Sequence, residues 1–118
     1  LLFLRNDVEA KVLRLPGQLY QKKGEMISNV FTYKIINKTV KDFDNITIKL
    51  EKPVGLVKLV GNTNIKIPAE KTFQGTLFIE IKATEVNDDK MKIKLGFYNN
   101  GKLIETTKTT FLGPRTFN

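Results

Sequence analysis

The segment Lys90-Met91-Lys92-Ile93-Lys94-Leu95-Gly96-Phe97-Tyr98 alternates polar and apolar side chains for almost its whole length. A period of two separates the two kinds only on an extended backbone, where successive side chains point to opposite faces. Met91, Ile93, Leu95 and Phe97 then share one face, and Lys90, Lys92 and Lys94 the other. A helix would scatter both sets around its axis. The same period returns in Asn29 to Asn37, with Phe31, Tyr33 and Ile35 inward, and in Asn45 to Glu51, with Ile46, Ile48 and Leu50 inward. It returns again in Thr72 to Lys82, through Phe73, Gly75, Leu77, Ile79 and Ile81, and in Arg5 to Arg14, through Val8, Ala10 and Val12. A final strand runs from Lys102 to Leu112. No useful length of chain carries the 3.6-residue period of a helix, so the chain is all-β.

Turn chemistry divides these runs. Asn99-Asn100-Gly101 predicts a tight reversal that tolerates positive φ, Pro53 and Gly55 close the third strand, and Pro16-Gly17 closes the first. Leu56 to Val60 and Ile65 to Ile67 are short, are joined by Gly61-Asn62-Thr63-Asn64, and end at Pro68. They are expected to cross or skirt one sheet edge. Gly75 inside a strand predicts a bulge or a close approach of backbone. With 118 residues the chain suits one domain, 1–118, large enough to bury a core without staples. Seven to eight short antiparallel strands with two-faced patterning point to an immunoglobulin-like β-sandwich, here of the kind without a disulfide.

Composition removes much chemistry. There is no cysteine and no histidine, which excludes within this chain disulfides, thiolate metal sites, iron–sulfur ligation and nucleophiles activated by imidazole. Ser28 is the single serine. The acids gather at Asp42/Asp44 and Asp88/Asp89, both in predicted turns, where Asp is favoured because its side chain bonds its own backbone. A calcium site or a hydrolytic carboxylate pair is conceivable there, but in a seven-stranded sandwich the clusters fall at opposite ends and do not meet, a parity that an extra strand between residues 55 and 67 would reverse. Met91 lies on a buried strand face, so with Met26 it reads as packing rather than as a soft metal ligand. Asn37-Lys38-Thr39 and Asn45-Ile46-Thr47 match the glycosylation acceptor pattern, a short motif that arises often by chance.

The formal net charge is +8, carried by 17 lysines and only three arginines, Arg5, Arg14 and Arg115. Guanidinium forks, not dispersed lysines, read bases, so sequence-specific nucleic-acid binding is disfavoured. Lys90, Lys92 and Lys94 read first as a solvated strand face. No apolar run reaches the roughly 20 residues that cross a bilayer. Leu1-Leu2-Phe3-Leu4 followed by Arg5-Asn6-Asp7 nevertheless reads as the tail of an apolar membrane helix emerging into water, with an ordinary first strand as the alternative. With no catalytic, cofactor-binding or metal site to assign, a binding, spacing or assembly role is the expectation. The candidate contacts are the apolar turn Leu15, Pro16, Gly17, Gln18, Leu19 and Tyr20, the hairpin Asn99, Asn100 and Gly101, and exposed Phe78 or Tyr98.

Three stretches carry a family resemblance. Arg5-Asn6-Asp7-Val8-Glu9 with Leu13-Arg14-Leu15-Pro16-Gly17-Gln18-Leu19-Tyr20, then Asn29 to Thr39, then Leu103-Ile104-Glu105-Thr106 with Thr109-Thr110-Phe111-Leu112-Gly113-Pro114 resemble, in order and spacing, the C-terminal domain of the FixG/CcoG family, the cytochrome c oxidase accessory proteins. The resemblance implies an immunoglobulin-like domain on the periplasmic side of the bacterial inner membrane, tethered through an upstream helix, in a protein that assists assembly of cbb3-type oxidase and handles copper for it. It implies [4Fe–4S] clusters in an upstream region and none in this chain, whose own role would be non-catalytic. The implied partners are proteins of oxidase assembly or copper delivery, with neither nucleic acid nor a small-molecule substrate. A secreted adhesion or carbohydrate-binding sandwich is the alternative expectation, and a copper-binding redox domain a third.

Overall fold

The computed structural model describes residues 7–15, 20–52, 54–61, 64–86 and 89–113. These residues form nine strands: β1 (Val8–Arg14), β2 (Gln21–Lys23), β3 (Met26–Asn37), β4 (Phe43–Lys52), β5 (Leu56–Leu59), β6 (Ile65–Ile67), β7 (Thr72–Lys82), β8 (Lys90–Asn99) and β9 (Lys102–Leu112). A single 3₁₀ turn, Ala83–Glu85, follows β7. The strands build two antiparallel sheets. The first, sheet A, runs β1-β3-β7-β5 with β2 also on β3, and the second, sheet B, runs β6-β4-β8-β9.

Alternation dictates which side of each strand is dry. Ile27, Phe31, Tyr33 and Ile35 of β3 and Leu77, Ile79 and Ile81 of β7 face Ile46 and Ile48 of β4 and Ile93, Leu95 and Phe97 of β8 across one core. Phe43 and Phe111 are fully buried with them. At about 1.5–3 kcal/mol for each large apolar side chain, this face-to-face burial is the main favourable term of the fold. The two-faced patterning and the shared core make the molecule an immunoglobulin-like sandwich of two antiparallel sheets.

The edges add what the sequence pattern leaves open. β5 pairs with β7 in sheet A, whereas β6 pairs with β4 in sheet B. The two short pieces therefore sit on the edges of different sheets, and of crossing or skirting an edge it is the crossing that occurs. At the opposite border, β1 and β2 lie end to end on the same edge of β3: Arg14 pairs with Phe31, and Gln21 with Ser28. β1 ends at Arg14, just before Pro16-Gly17 as expected, and β2 takes up the same edge of β3 after two intervening residues, 29–30. Gln21-Lys22-Lys23 is entirely exposed and polar, so periodicity gives no sign of it. A two-residue turn with Gly24 at φ 59 then feeds β3, which begins three residues earlier than its alternation suggests.

Two glycines are required by close approach. Gly75 pairs with Tyr33 in unbroken β3–β7 register, and a Cβ there would come within 2.6 Å of the Tyr33 hydroxyl. The close approach is real, and there is no bulge. Gly55 lies against the Glu80 carbonyl oxygen, which a Cβ would meet at 2.7 Å.

Candidate interaction surfaces

Two asparagines of β3 occupy core positions and join the sheets. Asn29 is 1% exposed; its Nδ2 donates to the Leu112 carbonyl at 2.9 Å, and its Oδ1 accepts from the Leu112 N–H at 2.7 Å. Asn37, at the other end of β3, is wholly buried. Its Nδ2 donates to the carbonyls of Lys41 (2.8 Å), Ile67 (3.1 Å) and Pro68 (3.1 Å), while its Oδ1 accepts from the Thr39 N–H and hydroxyl. Asn37 is therefore a structural cross-tie and not an accessible glycan acceptor. Neither role is visible in sequence, because an Asn on an alternating face looks the same whether it meets water or a backbone.

These ties also mark the two ends of the sandwich. Leu15 lies near Asn29, since its N–H donates to the Val30 carbonyl at 3.0 Å. The Asn100-Gly101 turn lies at the Asn37 end, where the Asn100 N–H donates to the Asn45 carbonyl at 3.0 Å and β4 meets Ile67. Leu15 and the hairpin thus sit at opposite ends. Leu15 is half-buried and Tyr20 is 36% exposed; Pro16, Gly17, Gln18 and Leu19 lie outside the described residues, as do residues 1–6. In the hairpin, Asn100 (φ 52) and Gly101 (φ 83) take the predicted left-handed backbone, with both exposed. The Asn99 side chain accepts from the Asn45 N–H at 3.4 Å, which serves the turn itself.

The outer face of sheet A carries a group of exposed apolar side chains. Val30 and Phe78 are directly opposed across β3–β7 and both half-buried. Around them stand Leu13 (67% exposed), Leu56 (54%) and Val60 (49%). A shallow groove of about 410 Å³ opens beside Leu13, lined by Lys11, Thr32, Lys34, Gln74 and Thr76. Glu9 and Glu80 on this side are paired with lysines. Glu9 meets Lys38 at 3.1 Å and Lys11 at 3.6 Å, and Glu80, almost buried, meets Lys58 at 3.3 Å. The hydrogen bond and charge of Lys38, helped by Lys11, hold the Glu9 carboxyl below its ordinary range. Lys23 rides over the Phe78 ring at 5.9 Å.

Tyr98, the other aromatic contact candidate, is engaged on the outer face of sheet B. Its hydroxyl donates to Glu51 Oε2, which raises the Tyr98 hydroxyl above the usual tyrosine range, and Lys49 Nζ lies 5.0 Å from its ring centre. Desolvation raises the buried Tyr33 hydroxyl in the same direction. Asp42 precedes β4 and accepts from the Ala69 N–H at 2.9 Å, whereas Asp44, expected in a turn, lies within β4 because that strand already begins at Phe43. The antiparallel β4–β8 register, which starts β4 beside the end of β8, puts Asp42 and Asp44 at the opposite end from Asp89; Asp88 lies outside the described residues. Ser28 Oγ is buried with no hydrogen-bond partner among the described residues, so no base touches the single serine. Without a cysteine anywhere in the chain, the thiolate set that an iron–sulfur cluster needs does not exist here, and the cluster implied by resemblance does not fit these residues.

Comparison with known proteins agrees with this geometry. No curated protein matches the chain. Among solved structures, a FixG-related protein from Vibrio parahaemolyticus superposes with a TM-score of 0.65 at 21% identity, covering 90% of this chain and 95% of its own, a likeness of fold. The family model described as "IG-like fold at C-terminal of FixG, putative oxidoreductase" matches residues 1–114. The chain therefore belongs to the family of immunoglobulin-like domains that stand at the C-terminus of FixG.

Proposed function

We propose that this chain is the non-catalytic interaction domain of a membrane-bound, iron–sulfur accessory protein that assists assembly and copper handling of cbb3-type cytochrome c oxidase, and that it works on the periplasmic face. Family membership over residues 1–114 supports the parentage. The observation that carries the non-catalytic role is chemical. A chain without cysteine or histidine commits its two buried asparagines to joining its sheets and exposes Leu13, Leu56 and Val60 on the outer face of sheet A. Redox chemistry then belongs to a region outside this chain, and the domain supplies a rigid surface to partners of assembly or copper delivery.

Photo-crosslinking in the intact membrane protein tests this reading, with probes at Leu13, Gln18 and Asn100. Capture of an oxidase subunit or a copper-delivery protein from Leu13 or Gln18 is the expected result. Capture from none of the three positions removes the docking role. Reading the gene upstream of Leu1 tests the parentage: membrane spans and cysteine motifs are expected there, and a start without either overturns it. Titration with Cu(I) and Cu(II) is expected to show only weak, non-stoichiometric binding to this chain.

A further inference from the structure

The outer face of sheet B aligns lysines that lie far apart in sequence. Lys52 pairs with Lys94 across β4–β8, and Lys94 with Lys108 across β8–β9. Three ammonium-bearing side chains therefore form a row across the strands, at the interstrand spacing of about 4.8 Å. Lys92 and Lys90 extend the array along β8 in steps of about 6.8 Å. Lys52, Lys90, Lys92 and Lys108 are exposed and Lys94 is half-buried. Lys52, Lys92, Lys94 and Lys108 bound a shallow depression of about 430 Å³. Around the β9 edge, Arg14 joins Lys92 and Lys108 in lining a second groove of about 560 Å³.

Lys52, Lys94 and Lys108 make no ion pair among the described residues, in contrast to the paired charges of sheet A. Glu51, the acid next to Lys52, is taken by Tyr98. Like charges directly opposite each other weaken a sheet, so this alignment works against the fold that carries it.

We propose that this face docks on the surface of an anionic phospholipid bilayer through charge alone, without insertion. The proposal rests on the register and is independent of the reading above. A flat array of compact ammonium charges, without arginine forks, matches a diffuse plane of phosphates better than a discrete carboxylate or base edge. Protein interfaces place aromatic and arginine anchors at their centre and avoid lysine there, and the aromatic side chain on this face, Tyr98, is already engaged by Glu51 and Lys49. Nucleic-acid surfaces use an element that enters a groove or rings that stack on bases, and a flat lysine-covered strand face offers neither.

Co-sedimentation of the 118-residue chain with vesicles provides the test. The chain is expected to bind phosphatidylcholine vesicles containing phosphatidylglycerol at low salt, to be released by added salt, and to ignore phosphatidylcholine alone. The triple variant Lys52→Gln/Lys94→Gln/Lys108→Gln is expected to bind at least about tenfold more weakly, from the contribution of each lysine near an anionic surface. Lys34→Gln/Lys71→Gln/Lys82→Gln removes the same charge from exposed positions elsewhere and is expected to retain most of the binding. Lys108→Glu alone, at an exposed position on the sheet's edge strand, keeps the test valid if the triple variant fails to fold, and it too should weaken binding. Equal losses in both triple variants would assign the effect to net charge and overturn the proposal. So would no binding to anionic vesicles, or tighter capture by duplex RNA or polyglutamate than by the vesicles.

Discussion

The two outer faces of this sandwich are made from similar strands and treat charge in opposite ways. Sheet A holds its acids in ion pairs with Lys11, Lys38 and Lys58 and leaves leucine, valine and phenylalanine at the surface. Sheet B exposes Leu103 of β9 and stacks unpaired lysines across three strands. Since the sheets share one core, the contrast concerns the surface rather than the packing. A paired face with exposed hydrocarbon suits contact with protein, and an unpaired cationic face suits a diffuse anionic surface.

The contrast rests first on the sheets being joined. Asn29→Ala leaves the Leu112 N–H and carbonyl without their partner and is expected to cost about 2–3 kcal/mol. In urea unfolding the loss should appear as one cooperative transition; separate transitions for the two faces would break the idea of a shared frame. Gly55→Ala drives a methyl against the Glu80 carbonyl of sheet A and is expected to cost about 1–3 kcal/mol, read in the same way. On sheet B the sign reverses: Lys94→Gln removes a charge opposed on both sides and is expected to stabilise by about 0.3 kcal/mol. A destabilised Lys94→Gln would mean that the row is paired in solution and that the faces do not differ.

Proton titrations give the smallest effects. Glu9, held low by Lys38 and Lys11, favours the folded state above the unfolded carboxyl pKa; that contribution fades as pH falls through the folded value. Tyr98, raised by Glu51, works in the other direction: its contribution is complete below the unfolded phenol pKa and fades as pH rises through the folded value. Glu51→Gln should bring the Tyr98 pKa down, and Lys38→Gln should bring that of Glu9 up, each measured by NMR titration.

Most of the frame was legible because burial on one face enforces alternation. The bounds of β6, β7 and β9 agree with their sequence patterns, and the inward sets of β3, β4, β7 and β8 occupy the core apart from half-buried Leu50, Phe73, Gly75 and Met91. β2 was illegible because three exposed residues, paired on one edge only, need no pattern. The separation of β5 and β6 onto different sheets was illegible for a related reason: short edge strands carry no mark of their partner. Among surfaces, Lys90, Lys92 and Lys94 were readable as a stripe, but Lys52 and Lys108 join them only through cross-strand register. The apolar Leu15 to Tyr20 segment was readable as unusual. That the strands on either side of it share one edge of β3 follows from pairings that local sequence does not encode.

The asparagine ties give this domain a particular independence. Immunoglobulin-type domains that join their sheets through sulfur depend on an oxidising environment for that bond, and thiol exchange can undo it. Here side-chain amides hold the Leu112 backbone at one end and the Ile67–Pro68 backbone at the other. Amides neither gain nor lose electrons under such conditions, so the join between the sheets does not depend on the redox state of its surroundings.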